Sequence, residues 1–305
     1  MTPGYGRDPS KLRILTLLAR HGTAKYPTAL QDLRAMFAAQ MPDVSHHMLV
    51  VDNALPEGHR ADLDRGVELI GGSNSSWEFS AWDSGIAYLG KRVNDHDLVH
   101  LATSAFAEYT PDHLKLIDHN VVRHLPGLNA VLGHVDFYNE PVSVFGTSSQ
   151  AWLRSSFILM RPRHLQALGS MVGVTGSAPI FSGDPLAPFR KDAPISRSYR
   201  QFLVGWLTGV GTGQGPGWHS GFDLTLETLP FFESKARAIL NEQMLTNRLL
   251  AIGSTIVDVT WLARKAKAAN RISLGDIPDW RTQIRPRVGR KFARLLGKPG
   301  RAGQP

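Results

Sequence analysis

Over the first 110 residues, short apolar runs of strand length alternate with stretches of helical period. LRILTLLA (12–19) predicts a strand and TALQDLRAMFAAQM (28–41) an amphipathic helix. HHMLVVDN (46–53) predicts a second strand, VELIGG (67–72) a third, SAWDSGIAYL (80–89) a helix and DLVHLATSAF (97–106) a fourth strand. Alternation of this kind argues for an α/β fold, with a mostly parallel central sheet and helices on both faces.

Beyond residue 110 the pattern is less regular. PVSVFG (141–146) and WLRSSFILM (152–160) predict strands, and RPRHLQALGSM (161–171) a helix. Residues 172–220 are rich in Gly, Pro and Ser around one helical stretch, YRQFLVGWLTGV (199–210), which reads as an insertion or lid and not as a separate domain. GVGTGQGPG (209–217) fits no register of GxGxxG and has no GK[ST] after it, so it reads as a flexible loop and not as a phosphate cradle. ESKARAILNEQMLTNRLLAIG (233–253) is a strong helix pattern ending at a glycine stop. The expected organisation is one α/β domain over 1–270, in two halves of about 10–110 and 111–270 with the insertion at about 172–220, and a tail over 271–305.

Length and composition fit this picture. A chain of 305 residues with 42% hydrophobic positions can bury a core. It contains no cysteine, which excludes disulfides, thiolate nucleophiles and thiolate metal sites. No apolar run reaches the roughly 18 residues of a membrane span, and MTPGYGRDPSKLR has no apolar signal core, so the expected compartment is the cytoplasm. The net charge is +8, and eight basic residues follow Asp279, the last acid: Arg281, Arg285, Arg287, Arg290, Lys291, Arg294, Lys298 and Arg301. The body is therefore close to neutral. The tail reads either as a solvated segment or as an attachment to anionic lipid at the inner membrane, where each cation near the surface contributes about 1 kcal/mol. With few aromatic residues in the tail, Phe292 among them, and no reader module, nucleic acid is not an expected partner.

Ligands of parallel sheets bind beyond the carboxyl ends of the strands. The residues there are Arg20 and His21 after the first strand, Asp52 and Asn53 at the second, Ser73, Asn74 and Glu78 after the third, and Thr103 and Ser104 at the fourth. VVDN (50–53), the Gly/Ser/Asn loop in GSNSSWEFSAW (72–82), SSFILMRPRHLQALG (155–169) and NEQMLTNRLLAIG (241–253) occur in that order. The series, covering about 250 residues, resembles the A-type, Rossmann-like fold of nucleotide-sugar glycosyltransferases, especially the inverting family that builds bacterial surface polysaccharides.

The resemblance implies a nucleotide-diphosphate sugar as donor, bound by the first half of the domain, and a glycan or lipid-linked glycan acceptor, bound by the second. It places Glu242 at the position of the catalytic acid group, taking the proton from the attacking hydroxyl. Helix-surface charge, or pairing with Arg248, is the structural alternative for Glu242. Asp136 in GHVDFYNEP is the second candidate base. Asp52 is expected to accept a hydrogen bond from the base or ribose, or else to shape its turn. Asn74 and Glu78 are expected to fix the nucleotide or cap the following helix, and Trp152 and Arg154 to meet the acceptor. One departure stands out. Where the family carries Asp-x-Asp, this chain has Ala102, Thr103 and Ser104, which cannot hold a hard cation as two carboxylates do. The divalent metal is thus left open: cations and backbone amides neutralise the diphosphate, ligands come from elsewhere, or catalysis has been lost. The first is preferred, with Arg20, His21, Lys25 and Arg154 as cations.

Other constellations are weaker. His96 and His100 are four apart on a predicted strand with no HExxH, and read as solvated or core histidines. No GxSxG elbow is present. The expected function is transfer of a sugar from a nucleotide donor to a bacterial surface glycan. The alternatives are a noncatalytic nucleotide- or glycan-binding homologue and an assembly subunit docked through the basic tail.

Overall fold

The computed structural model describes residues 11–108, 111–210, 221–269 and 271–288. Eight strands form one sheet in the order β3-β4-β2-β1-β5-β7-β6-β8. The left half comprises β1 (Arg13–Arg20), β2 (Ser45–Asp52), β4 (Val67–Gly71) and β5 (Leu98–Thr103), all parallel. β3 (Arg60–Asp64) is an antiparallel edge on β4. On the other side β7 (Thr147–Met160) runs antiparallel to both β5 and β6 (Ala130–Val144), and β8 (Thr255–Asp258) pairs parallel to β6. The fold is a Rossmann-like α/β sheet.

Each predicted strand of the first half is present, and β3 is an addition. RADLD is exposed throughout, so it carries no buried face that could write an alternating pattern into the sequence. β6 is longer than PVSVFG suggests. Its amino-terminal half, AVLGHVDFY, is interrupted by Gly133, His134 and Asp136, and its register shifts on both sides of Val135–Phe137. Pro141 lies within the second shift, where no ladder N–H is required. Phe145 and Gly146 close the β6–β7 hairpin at φ 48° and 79°, the mirror-image geometry that matches strand twist.

Helices cover both faces. α1 (Ala29–Gln40), α3 (His119–Val122) and α7 (Val259–Ala268) pack Leu33, Phe37, Val122 and Leu262 onto Leu18, Val50, Leu132 and Val257. On the opposite face α2 (Trp77–Leu89), α4 (Pro162–Leu168), α6 (Leu229–Ala251) and α8 (Trp280–Ile284) bring Phe79, Trp82, Leu165, Leu245, Leu249 and Ile284 against Leu17, Leu49 and Ile158. The segment read as an insertion builds a third core: Tyr199, Leu203 and Leu207 of α5 (Arg197–Thr208) join Ile180, Phe181 and Phe189, and close on Val142, Val144, Phe232 and Leu240. Within GVGTGQGPG, residues 211–217 lie outside the described residues.

The expected tail begins as packed chain. Gln283 and Ile284 are buried, and Arg287 pairs at 3.0 Å with Asp258, which is fully enclosed and also accepts the N–H groups of Val135 and Thr260. Arg290, Lys291, Arg294, Lys298 and Arg301 lie outside the described residues. Among the described residues no helix is long and apolar enough to cross a membrane.

Candidate active site at the carboxyl edge of the sheet

Register places Arg20 beside Asp52, Asp52 beside Gly71, and Ala19 beside Thr103, so the carboxyl ends of β1, β2, β4 and β5 form one edge. Arg20 Nε donates to Asp52 Oδ2 at 2.7 Å, and Asp52 Oδ1 accepts from the Gly22 and Ala54 N–H groups at 2.8 and 3.0 Å. Burial pushes the Asp52 carboxyl up, but those N–H groups and the Arg20 guanidinium outweigh it and hold the group below its usual range. Both oxygens therefore shape the two strand-to-loop turns. His21 is exposed on this edge. Lys25, 3.7 Å from Glu108, is exposed too.

The loop after β4 is built by close backbone approach. A Cβ on Gly71 would stand 1.8 Å from the Pro56 carbonyl oxygen, and one on Gly72 2.5 Å from a Val51 methyl. Asn53 reaches across to donate to Asn74 Oδ1 at 3.2 Å and to the Trp77 carbonyl at 3.0 Å. Asn74 thus holds Asn53, and neither it nor Ser76 caps α2 through a side chain. Trp77 opens α2 at φ 53°, a left-handed conformation that costs a bulky residue about 1–3 kcal/mol. Its indole N–H donates to Ser234 Oγ on α6 at 2.9 Å, and Arg237 of α6 donates to the Ser75 carbonyl at 3.0 Å. α6 is thereby latched over the loop. Glu78 follows in the first turn of α2 and points across the edge toward β7.

There it meets Glu242. β5 and β7 stay paired only as far as Ala102 and Phe157, and β7 runs on past the end of β5. Side chains of α6 take the N–H groups of this overhang: Leu153 N–H donates to Thr246 Oγ1 at 2.9 Å and Ser155 N–H to Glu242 Oε1 at 2.5 Å. Glu242 Oε2 accepts from the Trp152 indole at 3.0 Å, and Ser155 Oγ donates to Glu78 Oε1 at 2.9 Å. Ser155 thus bridges two half-buried glutamates set between helices and sheet. Burial, reinforced by the charge of Glu242, raises Glu78 to about 7. Burial also raises Glu242, against the lowering effect of Ser155. Arg248 is not the partner of Glu242; it donates to the Leu168 carbonyl at 2.6 Å.

Asp136 lies opposite Trp152 in the hairpin and accepts from Arg154 at 2.6 and 2.9 Å. Trp152, Glu242, Ser155 and Glu78 are therefore joined by hydrogen bonds, with Arg154 and Asp136 beside Trp152 on the hairpin. Thr103 and Ser104 are half-buried beside β1, with Ser104 N–H on the Ala19 carbonyl at 2.9 Å. The end of β5 offers hydroxyls where a hard cation needs carboxylates, and Asp52, the acid at the end of β2, is consumed by its turn. Among the described residues no group of three or more His, Asp or Glu side chains is placed to hold a metal ion. This donor set does not fit a divalent cation.

Two contributors were invisible in the sequence reading. Ser155 sits in an apolar strand, 77 residues from Glu78 and 87 from Glu242. Lys235 on α6 is half-buried, and burial, then the nearby Lys25 charge, lowers its pKa, so two cations face the same edge.

No protein-family model matches the chain, and no curated protein matches it. Among solved structures it is similar to the mannosyltransferase PcManGT from Pyrobaculum calidifontis in complex with GDP-Man and Mn2+, at 11% sequence identity and a TM-score of 0.36, over 87% of this chain and 78% of that chain.

Proposed function

We propose that the protein is a glycosyltransferase that moves a sugar from a nucleotide-diphosphate donor to a bacterial surface glycan with inversion at the anomeric carbon. The observation that carries this reading is the convergence of Glu78 and Glu242 on Ser155. The pair lies beside an indole and an Arg–Asp pair, at the edge of the sheet where such folds bind ligands.

In this scheme the nucleotide lies along Arg20, Asn53 and Asn74. An acceptor hydroxyl sits over Trp152, oriented by Arg154 and Asp136. Glu242, made more basic by burial, takes the hydroxyl proton as the oxygen attacks the anomeric carbon and the bond to the diphosphate breaks. The leaving charge is met by Lys25, Lys235, Arg20 and His21, cations doing the electrostatic work that a metal does elsewhere. Asp136, tied to Arg154, is the second candidate for the base.

Glu242→Gln keeps size and most hydrogen bonding but cannot accept the proton. It is expected to lower turnover by about 10²-fold or more, leaving donor affinity nearly unchanged in a thermal-shift titration. Near-normal turnover, or loss of donor binding and stability together, would assign Glu242 to structure. A noncatalytic nucleotide- or glycan-binding protein is the second reading, supported by the carboxylate-free end of β5.

A further inference from the structure

β6 runs on where its outer neighbour stops. β8 ends at Asp258, opposite Gly133, while β6 continues to Val144. Beyond that point side chains stand in for the strand. Val135 N–H donates to Asp258 Oδ2 at 3.1 Å, and the Val135 carbonyl accepts from Arg287, whose Nη2 and Nε also donate to Asp258 Oδ2 at 3.0 and 3.2 Å. The Asp258–Arg287 pair thus offers one acceptor and one donor to Val135, as a further residue of a strand would. Leu153, opposite Val135, sends its N–H to the other flank, where Thr246 Oγ1 of α6 accepts it at 2.9 Å. The Val135–Leu153 step is therefore held from both sides, directly after the first register shift of β6.

The next pair outward is Asp136 with Trp152. Asp136 accepts from Arg154 at 2.6 and 2.9 Å, and the Trp152 indole donates to Glu242 at 3.0 Å, one helical turn from Thr246. Burial, then the charges of Arg287 and Arg154, lowers the pKa of His134, so both guanidiniums act on this part of β6. We propose that Arg287 is a positioning residue of the acceptor half: by completing the edge of β6 at Val135, it sets where Asp136, Arg154 and the Trp152 indole stand relative to Glu242. A guanidinium suits the task because its planar fork spans a carboxylate and a carbonyl in fixed geometry, which the point charge of an ammonium does not. α8 carries it there, with Gln283 accepting from Asp258 N–H at 2.7 Å and donating to the Ile256 carbonyl at 3.1 Å. The role in transfer rests on the glycosyltransferase reading, whereas the placement is measurable without turnover.

Hydrogen exchange of the full chain, followed by mass spectrometry, reads the placement in the native protein, in Arg287→Lys and in a control, Arg285→Gln, at an exposed position two residues earlier. Arg287→Lys keeps the charge that enclosed Asp258 requires and removes the fork. Exchange over residues 135–137 and 153–155 is expected to quicken by about tenfold or more in Arg287→Lys, with β1 unchanged and the control like the native chain. Acceleration confined to residues 135–137 would reduce the contact to a local prop and overturn the proposal, as would equal acceleration in β1 or none anywhere. A second arm offers UDP-glucose, UDP-galactose, UDP-N-acetylglucosamine and GDP-mannose, each with gluco-, galacto- and manno-oligosaccharides. Transfer to sugar by Arg287→Lys is expected to fall by about tenfold or more, while hydrolysis of the same donor by water changes by less than about twofold. Equal loss of transfer and hydrolysis, or loss of neither, would overturn the positioning role. A native chain that turns over none of these donors would count against the transferase reading, and hydrogen exchange alone then decides the placement.

Discussion

Replacing Glu78 by Gln tests the carboxyl pair through stability alone. The folded carboxyl titrates at about 7, raised by burial and by Glu242, against 4.5 for the ordinary group. A carboxyl raised in this way is protonated in the native state between those values, so the native chain binds the extra proton and its stability falls as pH rises through that window. Two and a half pK units correspond to about 3 kcal/mol by pH 8, and relaxation around the half-buried Glu78 reduces this to about 2. At pH 5 the same linkage leaves less than about 1 kcal/mol. Gln carries no charge and can still accept from Ser155 Oγ. Glu78→Gln should therefore stabilise the protein by roughly 2 kcal/mol at pH 8, several degrees in melting temperature, and by much less at pH 5. Urea unfolding followed by tryptophan fluorescence at both pH values reads the difference. An effect equal at the two pH values, or a destabilisation at pH 8, would show that Glu78 is ionised in a well-compensated setting.

Turnover, under the proposed function, should persist in excess chelator; activity abolished by chelator and restored by manganese would contradict neutralisation by Lys25, Lys235 and Arg20. Histidines give the opposite pH trend to Glu78. Burial lowers His46 to about 3, His96 and His164 to about 4 and His134 to about 2, and holds fully buried His100 well below 6.5. Each stays neutral in the native state while the unfolded chain gains a proton, so stability is intact above pH 6.5 and lost as pH falls below it. Melting should drop by at least about 10 °C between pH 7 and pH 5, and a change under about 3 °C would refute the assignment. Under the reading in which the tail attaches to anionic lipid, removal of the residues after 288 should weaken salt-sensitive binding to anionic vesicles, since screening at physiological salt acts over about 8 Å; equal vesicle binding would refute that reading.

What the sequence disclosed follows from how each element is buried. β1, β2, β4 and β5 are enclosed on both faces and announce themselves as apolar runs; β3, exposed along its length, does not. β6 hid because its polar residues lie where the hairpin leaves the sheet edge, and those residues include Asp136. Motif order singled out Glu78 and Glu242, yet nothing local joins them. Their meeting at Ser155 depends on β7 outrunning β5, a property of strand lengths in three dimensions. Asp52 shows the converse: the VVDN string is plain in the sequence, but only the Gly22, Ala54 and Arg20 contacts reveal that both its oxygens are committed to the turns.

The crossing of the 53–59 turn over Gly71 bears on how relatives of this chain can be found. With the Pro56 carbonyl 1.8 Å from where a Cβ would stand, the first carbon of any side chain collides with peptide backbone, which cannot step aside as a rotamer can. A descendant that acquires a residue other than glycine there must also reroute the turn, so two improbable changes have to arrive together. Glycine at this position and the length of the segment between Asp52 and β3 are therefore tied to one another. When overall identity has decayed past recognition, that coupled pair remains a fingerprint for which distant sequences can be searched.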